Sequence, residues 1–304
     1  MSTARNAAAV GMFDGVHRGH LDILSTVARE ARRAGGHPVV LSFGEHPVSL
    51  LRPGEAPRLL TTPAEKEELI RRFLPDAEVH LLDFAAMRRE SAADFLRGLR
   101  DRLGVGTMVM GYDNRFGCDG PREREAYDAL GAELGVRVVH VPRLTVGTGT
   151  ASSTAVRRLV AAGDVRAAAS MLGRRYGVSG TVGGGRRLGR TIGYPTANIN
   201  VDPVKLLPAR GVYACVAAVE GRRYPAMVNI GYRPTVDVST DPQLSVEAHL
   251  IGADADMYGC TVRMLFVERL RDELHFPDIK ALQAQLGDDR RNALACLRAE
   301  YPGI

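Results

Sequence analysis

Two histidines and three glycines lie within ten residues near the start of the chain, in the segment G-M-F-D-G-V-H-R-G-H at positions 11–20. The apolar run 7–10 before it reads as a buried strand, and apolar residues at helical spacing follow it up to Gly35. His17 and His20 therefore lie at the start of a predicted helix, where unpaired backbone N–H groups and the helix dipole favour an anion. Donors held there would stabilise the negative charge that develops during nucleotidyl transfer. The alternative is a pair of surface histidines beside an ordinary glycine-rich turn.

Three more polar segments follow in the first half of the chain. His46 comes after the second predicted strand and can contact a nucleotide or lie in solvent. In the segment 111–117, G-Y-D-N-R-F-G, Asp113 could hold a ribose or a substrate and Arg115 a phosphate, unless the two only pair in a surface turn. The segment 152–157, S-S-T-A-V-R, opens a helix, and its hydroxyl and N–H groups can bind phosphate or simply cap that helix.

In the second half, a glycine-rich loop and a proline turn occupy positions 183–198, G-G-G-R-R-L-G-R-T-I-G-Y-P-T-A-N. Backbone N–H groups of such a loop can wrap phosphates, although its basic part alone is also typical of a hairpin tip. Thr196 and Asn198 are two residues apart in an extended segment, so their side chains project to the same side. Their oxygens suit Mg²⁺ that is shared with a phosphate.

Glu247 stands alone on an apolar predicted strand. Burial disfavours a charged carboxylate, so such a group is costly unless it has a function or an ion-pair partner, for which Arg233 and Arg271 are candidates. We expect Glu247 to act as a general base.

Taken together, these motifs resemble a known family. The segment 11–20 looks like the G-x-F-D-G-x-H-x-G-H signature of bacterial FAD synthetases, within the nucleotidyltransferase superfamily. The segment 111–117 resembles their G-x-D-F-R-F-G, and 152–157 is similar to their S-S-T-x-x-R. The run 193–198 resembles the G-x-P-T-A-N of riboflavin kinase. The resemblance implies a bifunctional enzyme that forms FMN from riboflavin and ATP, and then FAD and pyrophosphate from FMN and ATP, with Mg²⁺ in both steps.

The resemblance also implies roles for individual residues. The expected catalytic residues are Glu247, His17 and His20. ATP for adenylyl transfer would be bound by Gly11, Phe13, Asp14, Gly15, His17, Gly19, His20, Ser152, Ser153, Thr154 and Arg157. The acceptor flavin would be bound by His46, Asp113, Asn114 and Arg115. ATP for the kinase step would be bound by Gly185, Gly189, Gly193, Pro195, Thr196 and Asn198, with Thr196 and Asn198 also holding Mg²⁺. The flavin of the kinase step would be bound by Asn229, Arg233, Glu247 and Arg271.

The sequence departs from the family pattern at three positions on the acceptor side. Glu45 replaces the first proline of P-H-P, Asn114 stands where an aromatic residue is usual, and Arg122 lies near a usual glycine. Two alternatives therefore stay open. One is a specialised paralogue with another acceptor or an inactive adenylyltransferase domain. The other is a flavin- or nucleotide-binding protein without turnover.

Composition excludes several other classes. The 304 residues are 45% hydrophobic and 25% charged, as in a globular protein of two domains. The net charge of +5 comes from basic residues dispersed among acidic ones, so we expect small-molecule substrates and no nucleic acid. No apolar run approaches the about 18 residues of a membrane span, and no signal-peptide core is present, so we expect a cytoplasmic protein without a membrane partner. Assembly into a homo-oligomer is left open.

Lysines and cysteines narrow the chemistry further. The only lysines are Lys66, Lys205 and Lys280, and none follows a glycine, which excludes a P-loop of the G-K-[ST] kind. The four cysteines form no C-x-x-C pair, so neither a disulfide nor a metal site is expected from them.

The two halves of the chain have different periodicities. Up to about residue 143 apolar strands alternate with amphipathic helices, which predicts a doubly wound, Rossmann-like parallel sheet with ligands at the carboxyl ends of its strands. After residue 172 come short strands with turn signals at 177–182, 211–219, 224–230, 246–251 and 260–267, and then a closing helix at about 278–298. This half predicts an antiparallel β-barrel with a capping helix. Together with the resemblance, these two halves imply a nucleotidyltransferase domain at 1–170 and a riboflavin kinase domain at 171–304.

Overall fold

The computed structural model of the chain describes residues 5–52, 54–121, 123–147, 149–184, 192–232, 244–253 and 257–301. The chain divides into two compact units, Met1–Ser153 and Thr154–Ile304. This division falls before residue 170, and the predicted domain boundary after that residue stays a prediction.

The first unit alternates strands and helices. In chain order its elements are β1 (Asn6–Val10), α1 (Arg18–Ala34), β2 (Pro38–Phe43), α2 (Pro47–Leu51), α3 (Pro63–Phe73), β3 (Glu78–Leu82), α4 (Phe84–Met87), α5 (Ala92–Leu103), β4 (Val105–Met110), α6 (Arg124–Leu134), β5 (Arg137–His140), β6 (Thr145–Val146) and β7 (Gly149–Thr150). The first five strands form one parallel sheet in the order β3-β2-β1-β4-β5. Parallel neighbours require crossover connections, which the intervening helices supply.

Helices cover both faces of this sheet. On one face, Leu24 of α1 and Ile70 of α3 belong to the same buried cluster. On the other face, Phe95 and Leu96 of α5 pack with Met108 of β4. Both faces are therefore sealed, and ligands can be reached at the carboxyl edge, where the loops after β1, β2 and β4 meet.

Two helices at this edge begin with side-chain caps. His17 caps α1, and Thr62 caps α3 in a capping box with Glu65, in which each residue accepts a hydrogen bond from the other's backbone N–H. Such caps each contribute about 1 kcal/mol to helix stability.

The second unit is a closed antiparallel barrel with helices. Its elements are α7 (Ser153–Ala161), which starts at the last residue of the first unit, then α8 (Val165–Leu172), β8 (Tyr176–Gly183), β9 (Ala197–Val201), β10 (Gly211–Val219), β11 (Arg222–Tyr232), β12 (Leu244–Leu250), β13 (Thr261–Arg271) and α9 (Ile279–Glu300). The strand order around the barrel is β10-β11-β12-β9-β8-β13. Tyr213 and Phe266 fill its interior edge to face, with ring centroids 5.2 Å apart. The predicted fold class is confirmed in both halves.

The sequence prediction missed one barrel strand and several short elements. β9 was read as an extended segment of the proline turn, although Ala197, Ile199 and Val201 alternate with Asn198 and Asn200, which is the signal of a half-buried strand. The hairpin of β6 and β7 was predicted as a loop, and α2, α4 and α8 were not predicted. Elements of two to eight residues carry little periodicity.

The closing helix α9 packs on the outer face of the barrel. Ala293 and Leu297 are buried in a cluster that includes Val216 of β10 and Val267 of β13. Beside this cluster the carboxylate of Asp289 accepts hydrogen bonds of 2.7–3.1 Å from the guanidinium of Arg271 on β13. Within the part of the chain that the structure describes, no helix is long and apolar enough to cross a membrane.

The Asp289 contact gives a stability prediction. Asp289 is 2% exposed and Arg271 17%, so Asp289→Ala would leave a largely buried cation without its partner and should destabilise the barrel by about 3 kcal/mol. Urea unfolding followed by far-UV circular dichroism measures the change.

The matched control is the neighbouring Asp288→Ala. Asp288 pairs with Arg291 at the surface, where both side chains are at least half exposed, so the change should be within about 0.5 kcal/mol. Equal losses in the two variants would contradict the role of the Arg271 pair in holding α9.

Candidate functional site

Two stacked imidazole rings lie at the N-terminus of α1. The rings of His17 and His20 have centroids 3.6 Å apart and planes 19° apart. His17 Nδ1 accepts a hydrogen bond from the backbone N–H of His20 at 3.3 Å, so the proton of the neutral His17 ring is on Nε2. The sequence prediction that both residues lie at this helix N-terminus is correct. The arrangement provides an N–H donor beside an end of a helix that favours anions.

The loop before α1 has a strained backbone. Phe13 and Val16 have φ of 46° and 38°, and Gly15 lies between them at 79°. The carboxylate of Asp14, 1% exposed, accepts hydrogen bonds of 2.9–3.1 Å from the Leu60 and Thr61 backbone and from the Thr61 hydroxyl. Asp14 therefore fixes the loop in a conformation that side chains with a Cβ rarely adopt. Its place in the ATP-binding set stays a prediction.

Ser153, the last residue of the first unit, lies against the same loop. Ser153 Oγ donates to the Asp14 carbonyl at 2.9 Å. A Cβ at Gly19 would lie 3.3 Å from both the Ala151 carbonyl and the His17 ring, so glycine permits a close approach there. A Cβ at Gly11 would lie nearest to the Phe13 ring, at an ordinary contact distance. The structure thus brings the G-x-H-x-G-H and S-S-T segments together.

Three other residues that are predicted to bind ATP lie directly before α7 or within it. Ser152 is half-buried and Thr154 is exposed. Arg157 lies one turn after Ser153 in α7 and belongs to the second compact unit. Their roles as ATP ligands stay predictions.

His46 lies at the same edge of the sheet, in the loop after β2. It caps α2, and its Nδ1 accepts from the Val48 backbone N–H at 3.2 Å. As for His17, this places the proton of the neutral ring on Nε2.

The loop after β4 carries the predicted acceptor residues. Asp113 and Arg115 are exposed, and Asn114 between them donates its amide to the carbonyl of Val10 at the end of β1. The guanidinium of Arg143 stacks over the ring of Tyr112, 4.3 Å from its centroid. Arg122, the third departure from the family pattern, lies outside the described residues.

Sequence reasoning missed two residues under this edge. Thr61 bonds Asp14 and also accepts from the Gly15 N–H at 3.0 Å. Lys66 of α3 is 3% exposed, and its Nζ donates to two backbone carbonyls. Burial lowers the pKa of Lys66 to about 8, while the negative charge of Asp14 acts in the opposite direction. Because these contacts join residues that are between 23 and 54 positions apart, no local motif marks them.

A row of polar side chains crosses neighbouring strands of the barrel. Glu247 on β12 pairs directly with Asn198 on β9 and with Asn229 on β11. Directly opposed residues point to one face of a sheet and have Cβ atoms about 4.5–5.5 Å apart. In the same register, Asn229 is followed by Val212 on β10 and Arg271 on β13. Four residues that the sequence predicts for the kinase site therefore lie in one row.

This row is on the outer face of the barrel that α9 covers. Met227, two residues before Asn229 on β11, is in the cluster with Ala293 of α9. Within the part of the chain that the structure describes, no cation forms an ion pair with Glu247. Arg271 instead binds Asp289, so its role as a flavin ligand stays a prediction.

His249 fixes the segment before β9. It lies two residues after Glu247 on the same face of β12, and its Nδ1–H donates to the Pro195 carbonyl at 2.8 Å. The Tyr194 ring meets the His249 ring edge to face, with centroids 5.4 Å apart. Thr196 is exposed next to this contact. The proline turn is thus held beside Glu247 by a residue for which sequence reasoning assigned no role.

The predicted kinase site includes residues that the structure does not describe. Gly185, Gly189 and Arg233 lie outside the described residues. Gly193 is described and has a φ of 81°, which glycine adopts without strain.

Comparison with known proteins gives matches over both units. The family model described as FAD synthetase matches residues 1–155, and the model described as riboflavin kinase matches residues 172–297. The bifunctional riboflavin kinase/FMN adenylyltransferase of Bacillus subtilis is 32% identical over 293 residues, which are 96% of this chain and 92% of that protein. The protein of the same name from Pseudomonas fluorescens is 33% identical, over 93% and 90%.

A solved structure is also similar. The crystal structure described as a macrolide-efflux protein from Streptococcus pneumoniae superimposes with a TM-score of 0.87 at 29% identity, over 96% of this chain and 95% of that one. Both halves of the chain and nearly its whole length are thus matched, and the chain belongs to the family of bifunctional riboflavin kinase/FMN adenylyltransferases.

Proposed function

We propose that the barrel phosphorylates riboflavin to FMN and that the parallel-sheet unit adenylylates FMN to FAD. The observation that supports this proposal is that each unit has its own cluster of polar side chains whose chemistry suits one of the two steps. One is the pair of imidazoles at the N-terminus of α1, and the other is Glu247 between Asn198 and Asn229. The substrates are ATP and flavins.

In the kinase step, Glu247 would accept the proton of the riboflavin 5′-hydroxyl as that oxygen attacks the γ-phosphorus of ATP. The bond from the γ-phosphorus to the bridging oxygen breaks, and ADP leaves. Asn229 and Asn198 flank the carboxylate and can orient the hydroxyl and the phosphate. Positioning and charge neutralisation supply most of the catalysis in phosphoryl transfer.

Thr196 and Asn198 fit a role in holding Mg²⁺ with the ATP phosphates. Hydroxyl and amide oxygens are ligands that this cation accepts, and the exposed Thr196 is adjacent to β9, on which Asn198 lies. Bound there, Mg²⁺ would neutralise charge that develops on the transferred phosphoryl group.

In the adenylyl step, a phosphate oxygen of FMN attacks the α-phosphorus of ATP, and pyrophosphate leaves. His17 would donate from Nε2 to phosphate oxygens, with His20 and the N-terminus of α1 beside it. These donors are already oriented by the cap and by ring stacking, so little reorganisation is needed when the transition state forms.

Glu247→Gln separates the two sites. Loss of the base should lower FMN formation from riboflavin by about 10²–10⁴-fold, while FAD formation from supplied FMN stays unchanged. Product analysis with Mg·ATP and either flavin measures both rates, and loss of both would contradict separate sites.

His20→Ala is the reciprocal control. It removes a hydrogen-bond donor at the N-terminus of α1 and should lower FAD formation by about 10²-fold without affecting FMN formation. If the unaltered protein yields FMN as its only product, the adenylyl step of the proposal fails.

Asn198→Ala tests the metal site. It should raise the Mg²⁺ concentration needed for half-maximal FMN formation by about tenfold or more. Asn200→Ala is a matched amide deletion on the same strand, outside the polar row, and should leave the Mg²⁺ profile unchanged. A wild-type profile in Asn198→Ala would remove this residue from the metal site.

His249 predicts a pH dependence of barrel stability. Burial lowers its pKa below the ordinary value of 6.5, against the effect of the hydrogen bond to Pro195 and assisted by the positive charge of Arg290. Below pH 6.5 the unfolded chain therefore binds more protons at this site, and stability falls as the pH drops towards the folded-state pKa.

His249→Gln removes the titrating group and keeps an N–H donor for the Pro195 carbonyl. Its unfolding midpoint should fall less between about pH 7.5 and 5.5 than that of the unaltered protein. The exposed His275→Gln should show the unaltered dependence. Identical pH profiles for His249→Gln and the unaltered protein would refute this role.

A further inference from the structure

Lys66 places a buried cation under the carboxyl edge of the parallel sheet. Its Nζ lies 3.1 Å from the Met12 carbonyl oxygen and 2.5 Å from the Phe43 carbonyl oxygen. The side chain rises from α3, whose start is fixed by the capping box. Sequence reasoning gave it no role, since it follows no glycine.

One carbonyl is in the loop that leads to His17, and the other is at the end of the strand that precedes the loop of His46. Met12 is in the loop that leads from β1 to His17, and Phe43 is the last residue of β2, three positions before His46. The buried hydroxyl of Ser42 also donates to the Met12 carbonyl, at 3.1 Å. One ammonium group therefore connects the loop that leads to His17 with the end of the strand that leads to His46.

Fold stability alone does not explain a charge at this place. Desolvation lowers the pKa of Lys66 to about 8, so the charged form is disfavoured by burial although it still predominates at pH 7. Asp14 is the charged group that opposes this shift, and its own carboxylate is bonded to Leu60 and Thr61. An apolar residue of similar volume usually serves stability as well as or better than a buried charge.

We propose that Lys66 is a positioning residue for adenylyl transfer, because its ammonium group joins the loop of His17 to the end of the strand before His46 so that both imidazoles meet the same phosphate-bearing substrate. In both histidines Nδ1 accepts a hydrogen bond from the backbone, so the neutral form of each ring carries its proton on Nε2. Two such donors serve one ligand only if the distance between their loops is fixed. This inference rests on the proposed adenylyl transfer.

Lys66→Met tests the proposal in the full-length chain. It should lower kcat/KM for FAD formation from FMN and ATP at least tenfold, with an unchanged or higher unfolding temperature. FMN formation from riboflavin should stay within twofold and reports the integrity of the same sample. Lys280→Met makes the same chemical change at an exposed position of α9 and should leave both rates unchanged. FAD formation within twofold of the unaltered protein would overturn the proposal.

A double variant distinguishes positioning from a general structural effect. If Lys66 acts through the His17 loop, Lys66→Met should reduce FAD formation much less in a His17→Ala background than in the unaltered chain. Multiplicative losses would overturn the proposal. Should Lys66→Met fail to fold, Lys66→Gln removes the ammonium group and keeps a polar side chain at the buried position. Reduced FAD formation with retained FMN formation then supports the positioning of the His17 loop, and an unchanged rate overturns it.

An unaltered protein that forms no FAD at all would instead refute the proposed function. The two failures are therefore distinguishable, because the Lys66 comparison requires measurable FAD formation by the unaltered chain.

Discussion

The buried carboxylate of Asp14 is the interaction on which the first site depends. The loop 13–16 has three positive φ angles, two of them at residues with a Cβ, which cost about 1–3 kcal/mol each. Such a backbone persists only where its surroundings impose it, and here three donors from residues 60 and 61 converge on Asp14. The turn that these hydrogen bonds stabilise places His17 at the N-cap of α1. That cap in turn sets which imidazole nitrogen carries the proton.

In the barrel, the candidate site residues are positioned by strand register and not by a strained turn. Glu247 is opposite Asn198 and Asn229 only because β12 pairs with β9 and β11 in this register. A slip by one residue would turn Glu247 into the apolar interior, next to residues such as Val228. The interior side chains therefore keep the polar row on the outer face. His249 adds a local constraint, since its bond to Pro195 ties the turn before β9 to the strand that carries Glu247.

Periodic features could be predicted from the sequence, and contacts between distant residues could not. Alternation of apolar strands with amphipathic helices predicted the parallel sheet, because that topology requires a crossover for each strand. A short motif located His17 and His20, and a lone carboxylate on an apolar predicted strand located Glu247. Thr61 and Lys66 were missed because a threonine before a helix and a lysine within it look ordinary in sequence, and only folding brings them to the loop of Asp14.

The structure also changes the meaning of one departure from the family pattern. The amide of Asn114 donates to the carbonyl of Val10, a bond that the phenylalanine of the G-x-D-F-R-F-G pattern cannot make. Asn114 therefore ties the loop after β4 to β1, directly before the segment that leads to His17. Asp113 and Arg115 on either side of it remain exposed. Asn114 therefore has a structural role in anchoring this loop, and the departure at this position agrees with the FMN acceptor that the family implies.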